Sequence, residues 1–202
     1  MKVEGSSITV WVSGLILLAL AVFLIQAGWS AASIKTGIDA TGRSSLLLFS
    51  IAFTASSLRS LWKTPLTTWT LRNRRWIGLS FAASHLIHLA LILAISLCFP
   101  EPFLSDQSKA QWVFGGLGYL FVALMALTST DQAQTWMGLQ NWKRLHFIGS
   151  HWLWAVFALT YVEHTKKGPL WFYAPLLVFT LALIPVRMAK HNPPAALHGT
   201  TN

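Results

Sequence analysis

Long apolar runs separated by short polar gaps dominate the chain from Ile8 to Val186. Uncharged stretches recur at Ile8–Gly28, Ser44–Leu58, Trp76–Phe99, Gln111–Leu127, Leu145–Val162 and Pro169–Val186. A hydrocarbon core takes roughly 20 predominantly apolar residues per helix, and each run approaches or meets that length. The pattern predicts an all-α membrane protein, a bundle of about six transmembrane helices within residues 1–190. A polar tail over 191–202 follows, beginning near His191 and containing Pro193-Pro194. Ser44–Leu58 is the shortest run. It counts as a span because Arg59 at its end can snorkel to the headgroups while its stem stays apolar. The first run is long and has no compact basic segment ahead of it, so it reads as a helix and not as a cleaved signal.

Composition agrees with the pattern. Hydrophobic residues make up 54% of the 202 positions and charged residues 10%, against roughly a quarter charged in soluble domains. The formal charge of +9 is distributed by loop, which argues against nucleic-acid binding. With six spans, one side collects Lys2, Arg59, Lys63, Arg72, Arg74, Arg75, Lys143, Arg144, Arg187 and Lys190, opposed by Glu4 and Asp131. The other side holds Lys35, Arg43, Lys109, Lys166 and Lys167 against Asp39, Glu101, Asp106 and Glu163. The positive-inside rule makes the first side cytoplasmic, with both termini on it. Trp29, Trp62, Trp69, Trp76, Trp112, Trp142 and Trp171 fall near predicted helix ends, where an amphipathic indole prefers to sit. Trp152 and Trp154 lie inside the fifth span and require packing or a cofactor. Cys98 is the only cysteine, which excludes an internal disulfide, a thiolate-held iron–sulfur cluster and a covalently attached c-type haem. No Gly-x-Gly-x-x-Gly or phosphate-binding loop follows a strand pattern, so no nucleotide domain is expected.

Ionisable groups inside spans are costly and face the protein interior, and here nearly all are histidines. His85 and His88 share one face of the third span, about one turn apart. His146 and His151 open the fifth span, and His164 closes it. Any one of them is as readily explained by a hydrogen bond to a neighbouring helix. Five on two helices, with no acidic partner at depth, suit haem iron held by one imidazole from each helix. Gly115, Gly116 and Gly118 offer room for a flat macrocycle, although close helix packing explains them better. Arg72, Arg74 and Arg75, with Lys143 and Arg144, offer charge for haem propionates or an acidic partner, and orientation alone accounts for them equally well. Phe147, Trp152, Trp154 and Phe157 can wall a porphyrin or simply pack a bulky helix.

The order of several short elements is similar to that in the ferric-reductase-like transmembrane family, and within it to the haem-binding membrane subunits of bacterial protein-methionine-sulfoxide reductase systems. The elements are Arg74-Arg75-Trp76-Ile77-Gly78-Leu79 running into His88, then Leu127-Thr128-Ser129-Thr130, Met137-Gly138 and Trp142-Lys143-Arg144-Leu145-His146. The resemblance spans about Arg72 to His164 and implies haem ligation by His88 and by His146. The family pattern also expects a histidine thirteen positions after His146, where this chain has Leu159. That spacing recurs between His151 and His164.

Helical rise weighs the alternatives. His88 lies roughly 18 Å beyond Trp76 at 1.5 Å per residue. Counted from Leu145, His151 is roughly 9 Å deep and His164 roughly 28 Å deep, while His146 is near the surface. Neither deep candidate is level with His88, and His85 with His151 differs by only about 5 Å. The favoured ligands are His85 or His88 with His151, so that His88 and His151 are the expected axial pair. His146 is the family-supported rival and His164 ranks below it. One haem b is favoured, with His146 and His164 leaving a second open.

The implied role is an electron-transfer component of a membrane oxidoreductase, resembling the membrane half of a ferric or sulfoxide reductase. Its electrons would come from a quinol or from a separate flavoprotein on the cytoplasmic side. They would leave to a metal, a quinone or an acceptor protein on the far side. Its surroundings would be lipid, in the inner membrane of a bacterium, with no nucleic-acid partner. The competing readings are a haem-free proton or metal transporter or channel subunit, for which an inverted repeat is missing, and a haem-free scaffold.

Overall fold

The computed structural model describes residues 4–103 and 109–189, which are helical almost throughout and include no strand. In chain order the helices are α1 (Ser6–Ala27), α2 (Ala31–Leu61), α3 (Pro65–Arg72), α4 (Arg74–Cys98), the short α5 (Pro100–Phe103), α6 (Lys109–Leu127), α7 (Asp131–Met137), α8 (Leu139–Lys167) and α9 (Leu170–Met188). Among the described residues, α1, α2, α4, α8 and α9 are long and apolar enough to cross a membrane. A sixth crossing is obtained if Gln111–Leu127 and α7, bent by 104° from each other, are counted as one span. The all-α membrane bundle expected from the sequence is therefore present. The tail from His191, with Lys2, Asp106 and Lys190, lies outside the described residues.

The largest departure from the sequence reading is α2, which begins at Ala31 instead of Ser44. Ser30 caps it by accepting from the Ser33 amide at 3.2 Å, while the Ser33 hydroxyl accepts from the Ser30 amide at 3.0 Å. Ser33, Gly37, Thr41 and Ser45 recur every fourth residue and are all buried. The first half of α2 is polar because its small residues face protein, not lipid. At Gly37 an added Cβ would lie 3.0 Å from Leu20 Cδ1 and 3.2 Å from Leu91 Cδ1, so the missing side chain lets α1, α2 and α4 approach closely. Halfway along, the Ser84 hydroxyl lies 3.0 Å from that of Ser44 and 2.9 Å from that of Ser45.

Contacts fix the helix directions. Thr41 meets His88 and Ala52 meets Arg74, so α2 and α4 are antiparallel. Arg43 lies 4.8 Å over the Phe172 ring and the Ser57 hydroxyl donates to Arg187 O at 2.7 Å, so α2 and α9 run parallel. The two interior tryptophans join helices: Trp154 Nε1 donates to Thr180 O at 2.8 Å and Trp152 Nε1 to Phe114 O at 3.2 Å. Packing thus accounts for both. Phe49 anchors the core, with ring centroids 5.0 Å from Phe53, 5.5 Å from Phe81 and 5.5 Å from Phe157. In contrast, only Ile8 of α1 is buried, and Leu15, Leu18 and Ile25 point outward as lipid-facing residues do.

This arrangement collects Arg59, Lys63, Arg72, Arg74, Arg75, Lys143, Arg144 and Arg187 at one end of the bundle, where α1, α4 and α8 start. Arg72 pairs with Glu4, and Arg75 pairs with Asp131 at 2.9 Å. Lys35, Asp39, Arg43, Glu163, Lys166 and Lys167 mark the opposite end.

Candidate functional site

A cavity of about 1080 Å³ opens among α2, α4, α6 and α8 in the half of the bundle away from the arginine-rich end. Its deep wall is formed by His85, His88, Tyr119 and Phe157, and its outer part by Lys35, Asp39, Arg43, Phe99 and His164. Gly42 and Gly115 also border it, and a Cβ at Gly115 would meet nothing within 4 Å. Gly118 instead faces Leu153 and Val156 across the α6–α8 contact. The glycines of α6 therefore divide between cavity and packing.

His88 is held by α2. Its Nδ1 lies 2.9 Å from Ile38 O and 3.1 Å from Thr41 Oγ1. The Ile38 carbonyl can only accept, and the Thr41 hydroxyl directs its hydrogen to Gly37 O at 2.7 Å. Nδ1 must then carry the ring proton, which leaves the Nε2 lone pair unprotonated and available to a metal. An imidazole whose other nitrogen is anchored on a carbonyl is the usual form of a metal-ligating histidine. Gly42 lies beside the ring, and a Cβ there would stand 3.4 Å from His88 Cε1, at van der Waals contact.

His164 repeats the feature on the other side of the cavity, with Nδ1 2.7 Å from Thr160 O and its ring 5.0 Å from that of Tyr173. His85 differs. Its ring stacks on Tyr119 at 4.8 Å and on His88 at 5.4 Å, and its buried Nδ1 has no hydrogen-bond partner. A buried polar atom left unpaired costs about 1–3 kcal/mol unless something in the cavity satisfies it.

The remaining candidates lie elsewhere. His151 has Nδ1 2.7 Å from Phe147 O and its ring 5.4 Å from Phe53, and it does not border the cavity. His146 lies against Trp142 with ring centroids 4.2 Å apart and planes tilted by 31°, and has Nε2 3.4 Å from Thr128 Oγ1, towards the arginine-rich end. The cavity thus brings together His85, His88 and His164, and leaves His146 and His151 outside it. Among the described residues, no three His, Cys, Asp or Glu side chains converge as a metal site would require. An ion held by protein alone therefore has no ready cage.

Ile38, Thr41, Gly42 and Tyr119 are absent from the sequence-based candidates. The first three fall in the segment read as a loop. The fourfold spacing of Ser33, Gly37, Thr41 and Ser45 was the available signal for a buried helix there.

The family model for the ferric reductase like transmembrane component matches residues 41–162. That range includes α4, which carries the cavity histidines His85 and His88, and α8 as far as Val162, two residues short of His164. No curated protein and no solved structure matches the chain. With its membrane-length helices and a match over more than half of its 202 residues, the chain is an integral membrane protein of the ferric-reductase-like transmembrane component family.

Proposed function

We propose that the protein binds b-type haem in the cavity and serves as the membrane electron-transfer component of an oxidoreductase. The observation that carries this reading is the pair His88 and His164, which border one cavity from different helices with Nδ1 engaged by a backbone carbonyl in each. Bound haem supplies a one-electron couple. His88 and His164 present nitrogen lone pairs to iron, and His85, with its unpaired Nδ1, stands one turn away as a substitute for His88. Lys35 and Arg43 at the rim supply positive charge suited to acidic groups. By helical rise His151 and His164 are about equally distant from His88, and cavity membership favours His164. His151 and His146 remain the ligand candidates if a second haem is bound towards the arginine-rich end.

By the positive-inside rule that arginine-rich end faces the cytoplasm, so both termini lie there and the cavity lies nearer the far side. A quinol or a separate flavoprotein is the electron source, and a metal, quinone or protein the acceptor. The inner membrane of a bacterium suits this arrangement. A haem-free proton or metal carrier is disfavoured by the lack of converging ligands among the described residues.

The test is a pyridine haemochrome assay and a reduced-minus-oxidised spectrum on detergent-purified protein from haem-sufficient cells, with single-alanine variants. His164→Ala and the double variant His85→Ala/His88→Ala are expected to lose stable haem, and His151→Ala to retain it. A parent without a reducible Soret band refutes the function. A double variant with an unchanged six-coordinate spectrum refutes the site.

A further inference from the structure

The arginine-rich end holds two guanidiniums without a counter-ion among the described residues. Arg74, at the start of α4, donates from Nε to Ala52 O at 2.9 Å and from Nη1 to Ser56 Oγ at 3.2 Å. Arg187, near the end of α9, donates from Nη1 to Phe53 O and covers the Phe53 ring at 4.9 Å. The two grip consecutive carbonyls of one turn of α2, Ala52 O and Phe53 O, which brings two like charges to the same place. The described carboxylates of this end are already engaged, Glu4 with Arg72 and Asp131 with Arg75. Neither Arg74 nor Arg187 has an acidic partner among the described residues, and both are only half-buried. Like charges brought together in a partly desolvated place are unfavourable unless an anion joins them.

We propose that Arg74 and Arg187 form a binding site for the phosphate of an anionic glycerophospholipid. A guanidinium pair matches two phosphate oxygens, and three helices meet there at the edge of the bundle. The surroundings favour a lipid over a phosphate from water: Trp62, capping the end of α2, is 58% exposed and Leu66 of α3 70%, giving apolar surface at the same end of the bundle. Basic pockets between transmembrane helices on the cytoplasmic side recognise anionic headgroups in this way. The site is independent of haem.

The experiment is native mass spectrometry of the full chain in detergent, titrated with phosphatidylglycerol or with phosphatidylcholine, and repeated with inorganic phosphate as competitor. Two basic contacts predict a preference for phosphatidylglycerol of about thirtyfold. Arg74→Gln/Arg187→Gln should reduce that preference to near unity, while Lys143→Gln/Arg144→Gln, which removes the same charge from the same end, should keep it. If the glutamine pair does not fold, Arg74→Lys/Arg187→Lys is read instead and should weaken the preference without abolishing it. Equal affinity of the parent for the two lipids overturns the proposal. So does displacement of the lipid by phosphate at comparable concentration, or an equal effect of the Lys143/Arg144 control.

Discussion

Thr41→Val isolates the anchoring of His88 from its ligation. The Thr41 side chain is 3% exposed, and valine has nearly its shape, so the exchange removes a hydroxyl and little volume. Three contacts of the hydroxyl disappear: to Gly37 O at 2.7 Å, to Ile38 O at 3.1 Å and to His88 Nδ1 at 3.1 Å. The Gly37 carbonyl keeps its helical partner, so the loss of stability should be about 1 kcal/mol. His88 retains Ile38 O at 2.9 Å, which keeps the proton on Nδ1 but leaves the ring freer to turn. Loss of a supporting partner of a metal-ligating histidine weakens metal binding about 10–100-fold, and the surviving carbonyl puts this case near the lower figure. The assay is the rate of haem transfer to excess apomyoglobin, compared with thermal unfolding of the same samples. Thr36→Val is the control, an exposed hydroxyl on the same helix that bonds only to its own backbone, Ala32 O, at 3.0 Å. If the two variants lose haem at the same rate, Thr41 does not orient an iron ligand, and the assignment of His88 loses its support.

Gly37→Leu should prevent α1, α2 and α4 from closing, because even a Cβ is crowded there by Leu20 and Leu91, and the expected readout is loss of monodisperse protein in detergent. Trp154→Phe removes the donor to Thr180 O within the membrane, with an expected loss of about 1 kcal/mol in thermal unfolding and no change in haem content. Asp131→Asn breaks the Arg75 pair, but Asp131 is 90% exposed, so the unfolding temperature should be unchanged within error.

The helices that face lipid were legible because their sequences are apolar on nearly every side: α1 and α9 begin and end within two residues of the uncharged runs that predict them. α2 was not, since a helix surrounded by other helices has no need of an apolar exterior and can carry Ser33, Lys35, Thr41 and Arg43 in its first half. Losing that half hid the groups that hold His88. His85 and His88, which border the cavity, drew attention in the sequence because an imidazole in a membrane helix stands out against Leu and Ile. Along α8, a depth counted on one helix carries no information on which of His151 and His164 turns towards the space between α4 and α6, and it is His164 that borders the cavity. The α3 and α7 helices were also unforeseen. Both are short segments at the arginine-rich end, started by Thr64 and Thr130 caps, and have no long apolar run to reveal them.

The inward polar stripe of α2 also bears on how the chain enters the membrane. As synthesis proceeds, α1 can partition into lipid by itself, because almost nothing on it needs a protein neighbour. α2 emerges next with Ser33, Thr41, Ser45 and Ser50 on a face that hydrocarbon does not welcome, and the surface that satisfies Ser45, the Ser84 hydroxyl of α4, has not yet been made. Until then Ser45 lacks its partner on another helix, which weakens the hold of the bilayer on this segment. Its commitment to the bilayer coincides with the arrival of α4, so the two helices that frame His88 enter as a unit.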